Sequence, residues 1–322
     1  MRLTAQQIYD KMIKDDKILQ AEGRISFNFA DINITVKQKD VVGNIIQEWV
    51  QGWLDKNNIE YALNDNSQMP PDFYLNLNDR TKDLLEVKAF NRSASPAFDI
   101  ADFRAYQKEI IEKPYMLDVD YLIFGYEMSD EGIVTIQDVW LKKVWEITRR
   151  MEDWPITLQV KEGHVHKIRP GVWYGEGKHR SDYTIFGSMV DFISAIEETV
   201  YQNDETRSYG SMWKRQLVKS YREHYGISLS IPKWDDIADN YDEKRRRKLA
   251  KAEESFRKAE EKYNKQVEKH NNALIKYNDA INSDSNVKIE KALESLKKAE
   301  SLLTKYEADL EKKRTEYNNL QL

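Results

Sequence analysis

MPPDFYLNLNDRTKDLLEVKAF, residues 69–90, is the stretch that decides the fold. DFYLNL is one extended arm, NDRTKD has turn chemistry, and LLEVKAF is the returning arm, so Asp72 to Phe90 reads as a β-hairpin. Side chains alternate along a strand. Glu86 and Lys88 therefore share one face, while Leu85, Val87 and Ala89 share the other. Two charged groups beside an apolar edge are costly to bury without partners. Asp72, at the start of the paired arm, supplies a partner. Two carboxylates and an ammonium thus converge. Mg²⁺ takes hard oxygen ligands, usually one or two carboxylates with waters and phosphate. Asp72, Glu86 and the Val87 carbonyl are the candidate metal ligands. Lys88 is the candidate to orient an attacking water or help deprotonate it.

Outward from this hairpin the order is helix, strands, helix, strands, helices. Residues 1–22 have helical spacing of Ile8, Met12 and Leu19, and residues 24–37 read as two short strands around Ala30-Asp31. In residues 40–55, Val41, Ile45, Trp49 and Trp53 recur every four, with Val42, Ile46, Val50 and Leu54 beside them. Glu48 flanks that stripe and is the candidate accessory acid. Phe98 to Glu112 reads as a helix N-capped by Asp99, with Phe98 and Phe103 at staple positions. YLIFGY, residues 121–126, is a strand covered on both faces. IVTIQDVW and WPITLQV add strands, and SMVDFISAIEETVY and GSMWKRQLVKSYREHYG add helices. The expectation is an α/β core over residues 1–239, with a mixed central sheet flanked by helices.

Residues 240–322 differ. Leu249, Phe256, Tyr263, His270 and Tyr277 recur every seven, with Ala252, Ala259, Ala273 and Ala280 three positions after four of them. NSDSN, residues 282–286, interrupts the heptads, which resume through Ile289, Leu296, Leu303, Leu310 and Tyr317. The pattern predicts an antiparallel coiled-coil hairpin, an arm of ~55–60 Å at 1.5 Å rise per residue.

Composition excludes several classes. The chain of 322 residues has no cysteine, which removes disulfide frameworks, Cys-ligated zinc, iron–sulfur clusters and a thiol nucleophile. No apolar run is long enough for a transmembrane helix, and MRLTAQQIYDKMIKDDK lacks the apolar region of a secretory signal, so no membrane association and a cytoplasmic location are expected. No Walker or dinucleotide glycine pattern appears. From Tyr241 onward there are 20 Lys/Arg against 16 Asp/Glu, which leaves 30 against 39 in residues 1–240. The front of the chain is acidic, so any contact with a polyanion must come from local clusters.

Asp72, then Glu86-Val87-Lys88, is the PD-(D/E)XK arrangement of many nucleases. VKQKDVVGNIIQEWVQGWL, QMPPDFYLN, LLEVKAFNR, FDIADF and EKPYMLDVDYLIFGYEM together resemble type II restriction endonucleases of the NgoBV/NlaIV type, from about Arg24 to Ile231. The resemblance implies Mg²⁺-dependent cleavage of double-stranded DNA at a palindromic GC-rich site of the GGNNCC kind, with host DNA protected by a cognate methyltransferase. It puts Asp72, Glu86 and Lys88 in the catalytic positions and Glu48 in the accessory one. A palindromic target implies a two-fold homodimer with one active site per strand. The long arm is not expected from the family core.

For a DNA enzyme, four groups become candidate contacts. Arg92, Ser93 and Ser95 follow the catalytic strand. Lys178 and Arg180 lie in the loop GEGKHR, residues 175–180, with Arg180 suited to a base edge. Lys214, Arg215, Lys219 and Arg222 share a basic side of one helix. Arg245, Arg246 and Arg247 sit inside the run Lys244–Lys248. His164 and His166 form an HxH pair without an obvious third metal ligand. The resulting expectation is phosphodiester hydrolysis by in-line attack, leaving 5′-phosphate ends. A structure-specific nuclease of repair or mobile-element type, or a non-enzymatic scaffold acting through the coiled coil, are the alternatives.

Overall fold

The computed structural model describes residues 1–66, 69–175, 184–283 and 285–321. It divides into two compact units, Met1–Tyr241 and Asp242–Leu322.

Eleven strands occur among the described residues. They are β1 (Glu22–Arg24), β2 (Ser26–Phe29), β3 (Ile32–Thr35), β4 (Ala62–Leu63), β5 (Phe73–Tyr74), β6 (Leu84–Asn91), β7 (Ala101–Asp102), β8 (Asp120–Met128), β9 (Ile133–Lys143), β10 (Leu158–Lys161) and β11 (His164–Ile168). The first unit's helices are α1 (Ala5–Asp10), α2 (Val42–Lys56), α3 (Phe103–Glu112), α4 (Met189–Gln202), α5 (Arg207–Tyr225) and α6 (Trp234–Ile237). The central sheet runs β1-β9-β8-β6-β5-β4. β6 and β8 are parallel, with Glu86 opposite Tyr121 and Lys88 opposite Ile123; the other pairs are antiparallel.

Alternation along β6 and β8 splits the core in two. Leu84, Phe90, Tyr121 and Ile123 pack with Tyr106 of α3, Phe192 and Ile196 of α4, and Trp213 and Leu217 of α5. Leu85, Val87, Leu122 and Phe124 pack with Ile8 of α1, Met12, and Val50 and Leu54 of α2. Burial on both faces is what the apolar run 121–126 requires. Glu86 and Lys88 belong to the first face by register. Trp213 ties α5 to α3, its Nε1 donating to the Gln107 carbonyl at 2.8 Å. α5 ends at Gly226, whose φ of 72° is the left-handed cap that glycine tolerates.

Three local readings change. The N-terminal helix is shorter than residues 1–22: α1 passes into a π turn over Lys11–Asp15, and Lys17 and Gln20 take positive φ. That turn frees Glu22–Arg24 to pair with β9. The arm DFYLNL contributes only Phe73–Tyr74 to the sheet, opposite Leu84–Leu85. The N-cap of α3 is Asp102, whose carboxylate accepts from Ala105 N at 3.0 Å. Asp99 instead pairs with Arg169, because residues 101–102 are extended against β11 before the helix begins.

In the second unit, Asp242 caps α7 (Glu243–Ile281), and α8 (Asn286–Gln321) packs back along it. Ala259, Ala273, Ala280 and Ala299 are buried at the seam. The rings of Phe256 and Tyr317 stack at 5.9 Å. Gln266 fills the d position that lacks alanine; its buried amide donates to the Ala299 carbonyl at 3.0 Å, satisfying a group that would otherwise be costly there.

Candidate active site

Where β5 stops pairing with β6, the Asp72 side chain takes over the backbone. Its Oδ2 accepts from Val87 N at 2.8 Å. Its Oδ1 accepts from Gln47 Nε2 of α2 at 2.6 Å. Two residues along, Lys88 Nζ lies 2.6 Å from Glu86 Oε1. Glu86 is 4% exposed, and its Oε2 is buried with no hydrogen-bond partner. The structure therefore brings Asp72, Glu86 and Lys88 together on the polar face of β6.

The electrostatics follow from this crowding. Burial, and then the charge of Glu86, push the Asp72 carboxyl up to about 7, against the pull of the Val87 N–H and Lys88. Two carboxylates this close in a dry pocket resist carrying two charges unless a cation joins them. Burial would lower the Lys88 pKa, but the charge of Glu86 and its hydrogen bond outweigh that and leave it above the ordinary value. Lys88 is thus an ammonium donor across the neutral range. The residues fit a hard divalent cation. The orphaned Glu86 Oε2 and the half-buried Asp72 carboxyl offer hard oxygen donors, and the Val87 carbonyl is an expected third donor. Among the described residues no group of three or more His, Asp or Glu side chains is placed to hold a metal ion.

The helical residue bonded to Asp72 is Gln47, not the candidate Glu48. Glu48 is exposed, and its neighbour Gln47 holds Asp72. The reason is which stripe of α2 is buried: Val42, Ile46, Val50 and Leu54 pack on the sheet, while Ile45 and Trp49 stay 37% and 42% exposed. Gln47 lies next to that buried line and Glu48 about 100° further round. A polar residue inside the stripe Gly43, Ile46, Val50 was the available signal. Gln47→Ala should lower cleavage by roughly 10–100-fold, as loss of a group orienting a metal ligand does, and should raise the Mg²⁺ concentration needed for half-maximal rate. A wild-type Mg²⁺ titration in that variant would remove Gln47 from the site.

Arg92 turns inward instead of presenting a free guanidinium. Its Nε pairs with Asp138 at 2.5 Å, and its guanidinium lies 4.2 Å from the Tyr174 ring centroid and 5.5 Å from that of Trp140. Phe90, Trp140, Trp173 and Tyr174 form one aromatic cluster here. Gly125 is required beneath it, since a Cβ there would lie 2.6 Å from Arg92 Cδ. Sequence reasoning missed Asp138 and this cluster because its members are far apart in the chain. Ser93 is exposed, with its N and Oγ on Asn91 Oδ1 at 2.9 and 2.7 Å. Ser95 is exposed in the following coil.

The other candidate contacts are dispersed. Lys214 pairs with Glu197 of α4 at 3.1 Å, a link between helices. Arg215 and Arg222 are exposed on α5, and Lys219, also exposed, lies 3.8 Å from Glu223. Lys178 and Arg180 lie outside the described residues, as does the side chain of Lys244. On α7, Arg245 is half-buried, and Arg246, Arg247 and Lys248 are exposed. His164 is engaged by Glu205 at 2.7 Å.

Comparison with known proteins identifies the family. The type II restriction enzyme NlaIV of Neisseria lactamica is 62% identical over 244 residues, 76% of this chain and 100% of that protein. The type II restriction enzyme NgoBV of Neisseria gonorrhoeae is 56% identical over 162 residues, 50% of this chain and 92% of that protein. A solved structure of NlaIV restriction endonuclease superposes with a TM-score of 0.72 at 61% identity, covering 76% of this chain and 98% of that one. The mixed sheet with flanking helices is the PD-(D/E)XK nuclease fold. The model of the NgoBV restriction endonuclease family matches residues 2–241, the whole first unit, and stops where the helical arm begins. With its carboxylate pair and lysine set in that fold, this chain belongs to the NgoBV restriction endonuclease family, and is a type II site-specific endonuclease.

Proposed function

We propose that the protein cleaves both strands of DNA at a short palindromic, GC-rich site of the GGNNCC kind, using Mg²⁺ and leaving 5′-phosphate ends. It acts as a homodimer in the cytoplasm beside a methyltransferase that protects the same site. Residues 1–239 carry catalysis and recognition, and residues 240–322 form a helical arm. The observation that carries this reading is the half-buried Asp72 beside the buried Glu86, with Lys88 on Glu86 and one carboxylate oxygen unpartnered.

Asp72, Glu86 and the Val87 carbonyl would hold the cation. When bound, Mg²⁺ polarises a phosphoryl oxygen and lowers the pKa of a water. The protein's own part is positional. Gln47 and Val87 N fix both oxygens of Asp72. Lys88, charged at neutral pH, leaves N–H groups beyond its bond to Glu86 to orient the attacking water and offset charge developing at phosphorus. The buried surroundings of Glu86 keep bulk water from screening these contacts.

The test is run-off sequencing of a plasmid digested by the purified protein with Mg²⁺, beside a chelated control. Discrete termini at one palindromic sequence, absent with chelator, are expected. A smear, or products confined to branched DNA, would overturn the site-specific reading. Cleavage at a different palindrome would leave the mechanism standing and correct only the bases read.

A further inference from the structure

β2 and β3 form a two-stranded sheet separate from the central one. In its register Phe27 faces Ile34 and Phe29 faces Ile32, so all four share one side of the ribbon. Ser26, Asn28, Asn33 and Thr35 form the other. Both sides of the ribbon stand clear of the core, and the apolar one is open to solvent: Phe27, Phe29, Ile32 and Ile34 are 55%, 71%, 66% and 50% exposed. A lone hairpin with an uncovered apolar face is marginal in water, and contiguous exposed apolar surface marks a binding site. The foot of the hairpin is nevertheless anchored. Val36 N bonds the Ile25 carbonyl at 2.8 Å, and Thr35 packs against the turn at Gly132. Ile25, next to the ribbon, also lines a mostly apolar groove of about 260 Å³ with the exposed Ile45 and Trp49 of α2, whose rim includes Glu22 and Arg24.

We infer that this apolar ribbon face is the surface through which two copies of the chain join, packed face to face across a two-fold axis. The inference deepens the proposed function and rests on its homodimer. Charge argues against DNA as the occupant. Residues 25–36, ISFNFADINITV, hold no Lys or Arg and carry Asp31 at the tip, and the flanking cations Arg24 and Lys37 lie at the foot, away from the apolar face, whereas phosphate contacts need cations. Self-complementarity argues for a second copy: a ribbon face of two Phe and two Ile meets its own symmetry mate without burying a charge, as an isologous contact requires. Area agrees. At roughly 200 Å² for each large side chain, the four residues expose on the order of 500 Å² per copy. Pairing then removes about 1,000 Å² before the groove residues are added, the lower bound of a specific interface.

The experiment is the solution mass of the full-length chain by light scattering, without DNA or metal. Wild type should have twice the 38.1 kDa chain mass, and Phe29→Glu/Ile34→Glu should halve it to one chain with an unchanged melting transition. Asn28→Glu/Asn33→Glu, on the opposite side of the ribbon, should remain dimeric. The chain's lack of cysteine gives a second readout: a Phe29→Cys thiol should be shielded from maleimide and an Asn28→Cys thiol should not. Monomeric wild type, or a Phe29→Glu/Ile34→Glu protein that stays dimeric, would overturn the inference and put any interface elsewhere, the arm included. Because mass and labelling need no cleavage, a dimer that joins through this face but fails to cut would sink the functional reading and leave the interface standing.

Discussion

Asp72→Ala, Glu86→Ala and Lys88→Ala should each lower duplex cleavage in Mg²⁺ by at least about 10²–10³-fold, the loss typical of one preorganised electrostatic group, while affinity for duplex changes far less. The three side chains are electrostatically coupled. Asp72 is fixed by Val87 N and Gln47, and Glu86 is bound to Lys88. Removing either carboxylate deletes an anionic oxygen from the pair that would hold the cation. Removing Lys88 leaves the carboxylates and takes away the donor for water and developing charge. The comparison is a single-turnover cleavage rate with fluorescence binding to the same duplex in Ca²⁺. Glu86→Ala strands a partly buried ammonium, so its melting temperature must be followed too. Near-normal cleavage by any of the three would remove that residue from the active site.

A second large effect needs no DNA. In divalent-free buffer the protein should lose stability as pH rises from about 4 to about 7. The sign follows from Asp72, whose pKa rises from 3.8 to about 7 on folding, through burial first and the charge of Glu86 second. Between those values the folded protein keeps a proton that the unfolded chain has released. Raising pH therefore favours unfolding. A shift of this size corresponds to a few kcal/mol, or on the order of 10 °C in Tm for a unit of this length. If the proposed site holds Mg²⁺, the ion at pH 8 should restore the loss, because a ligand held by the folded state alone stabilises it. Asp72→Asn should be flat across the same range and indifferent to Mg²⁺. An equal pH slope in wild type and Asp72→Asn would place the titrating group elsewhere.

Some of this was legible from the chain alone, because it depends on local periodicity. Alternation in LLEVKAF put Glu86 and Lys88 on one face, and the structure keeps them there. The seven-residue spacing of Leu249 to Tyr277 marked the arm, and Gln266 at a d position is the polar exception that finds a backbone acceptor. The run YLIFGY announced a strand with no solvent face. In each case the side chain's direction is set by its own strand or helix.

Tertiary structure decided what two elements do to each other. α2 offers two adjacent apolar stripes, and nothing local says which packs on the sheet. Burial of Val42, Ile46 and Val50 turned Gln47 toward Asp72 and left Glu48 outside. Arg92 follows the catalytic strand as a phosphate ligand would, yet Asp138, Trp140 and Tyr174, distant in sequence, draw it inward. Phe27, Phe29, Ile32 and Ile34 read as an ordinary strand pair, and only the packing shows their face uncovered. Periodicity fixes which residues share a face; which face packs on the sheet and which is left uncovered is fixed by burial between elements that the chain brings together from afar.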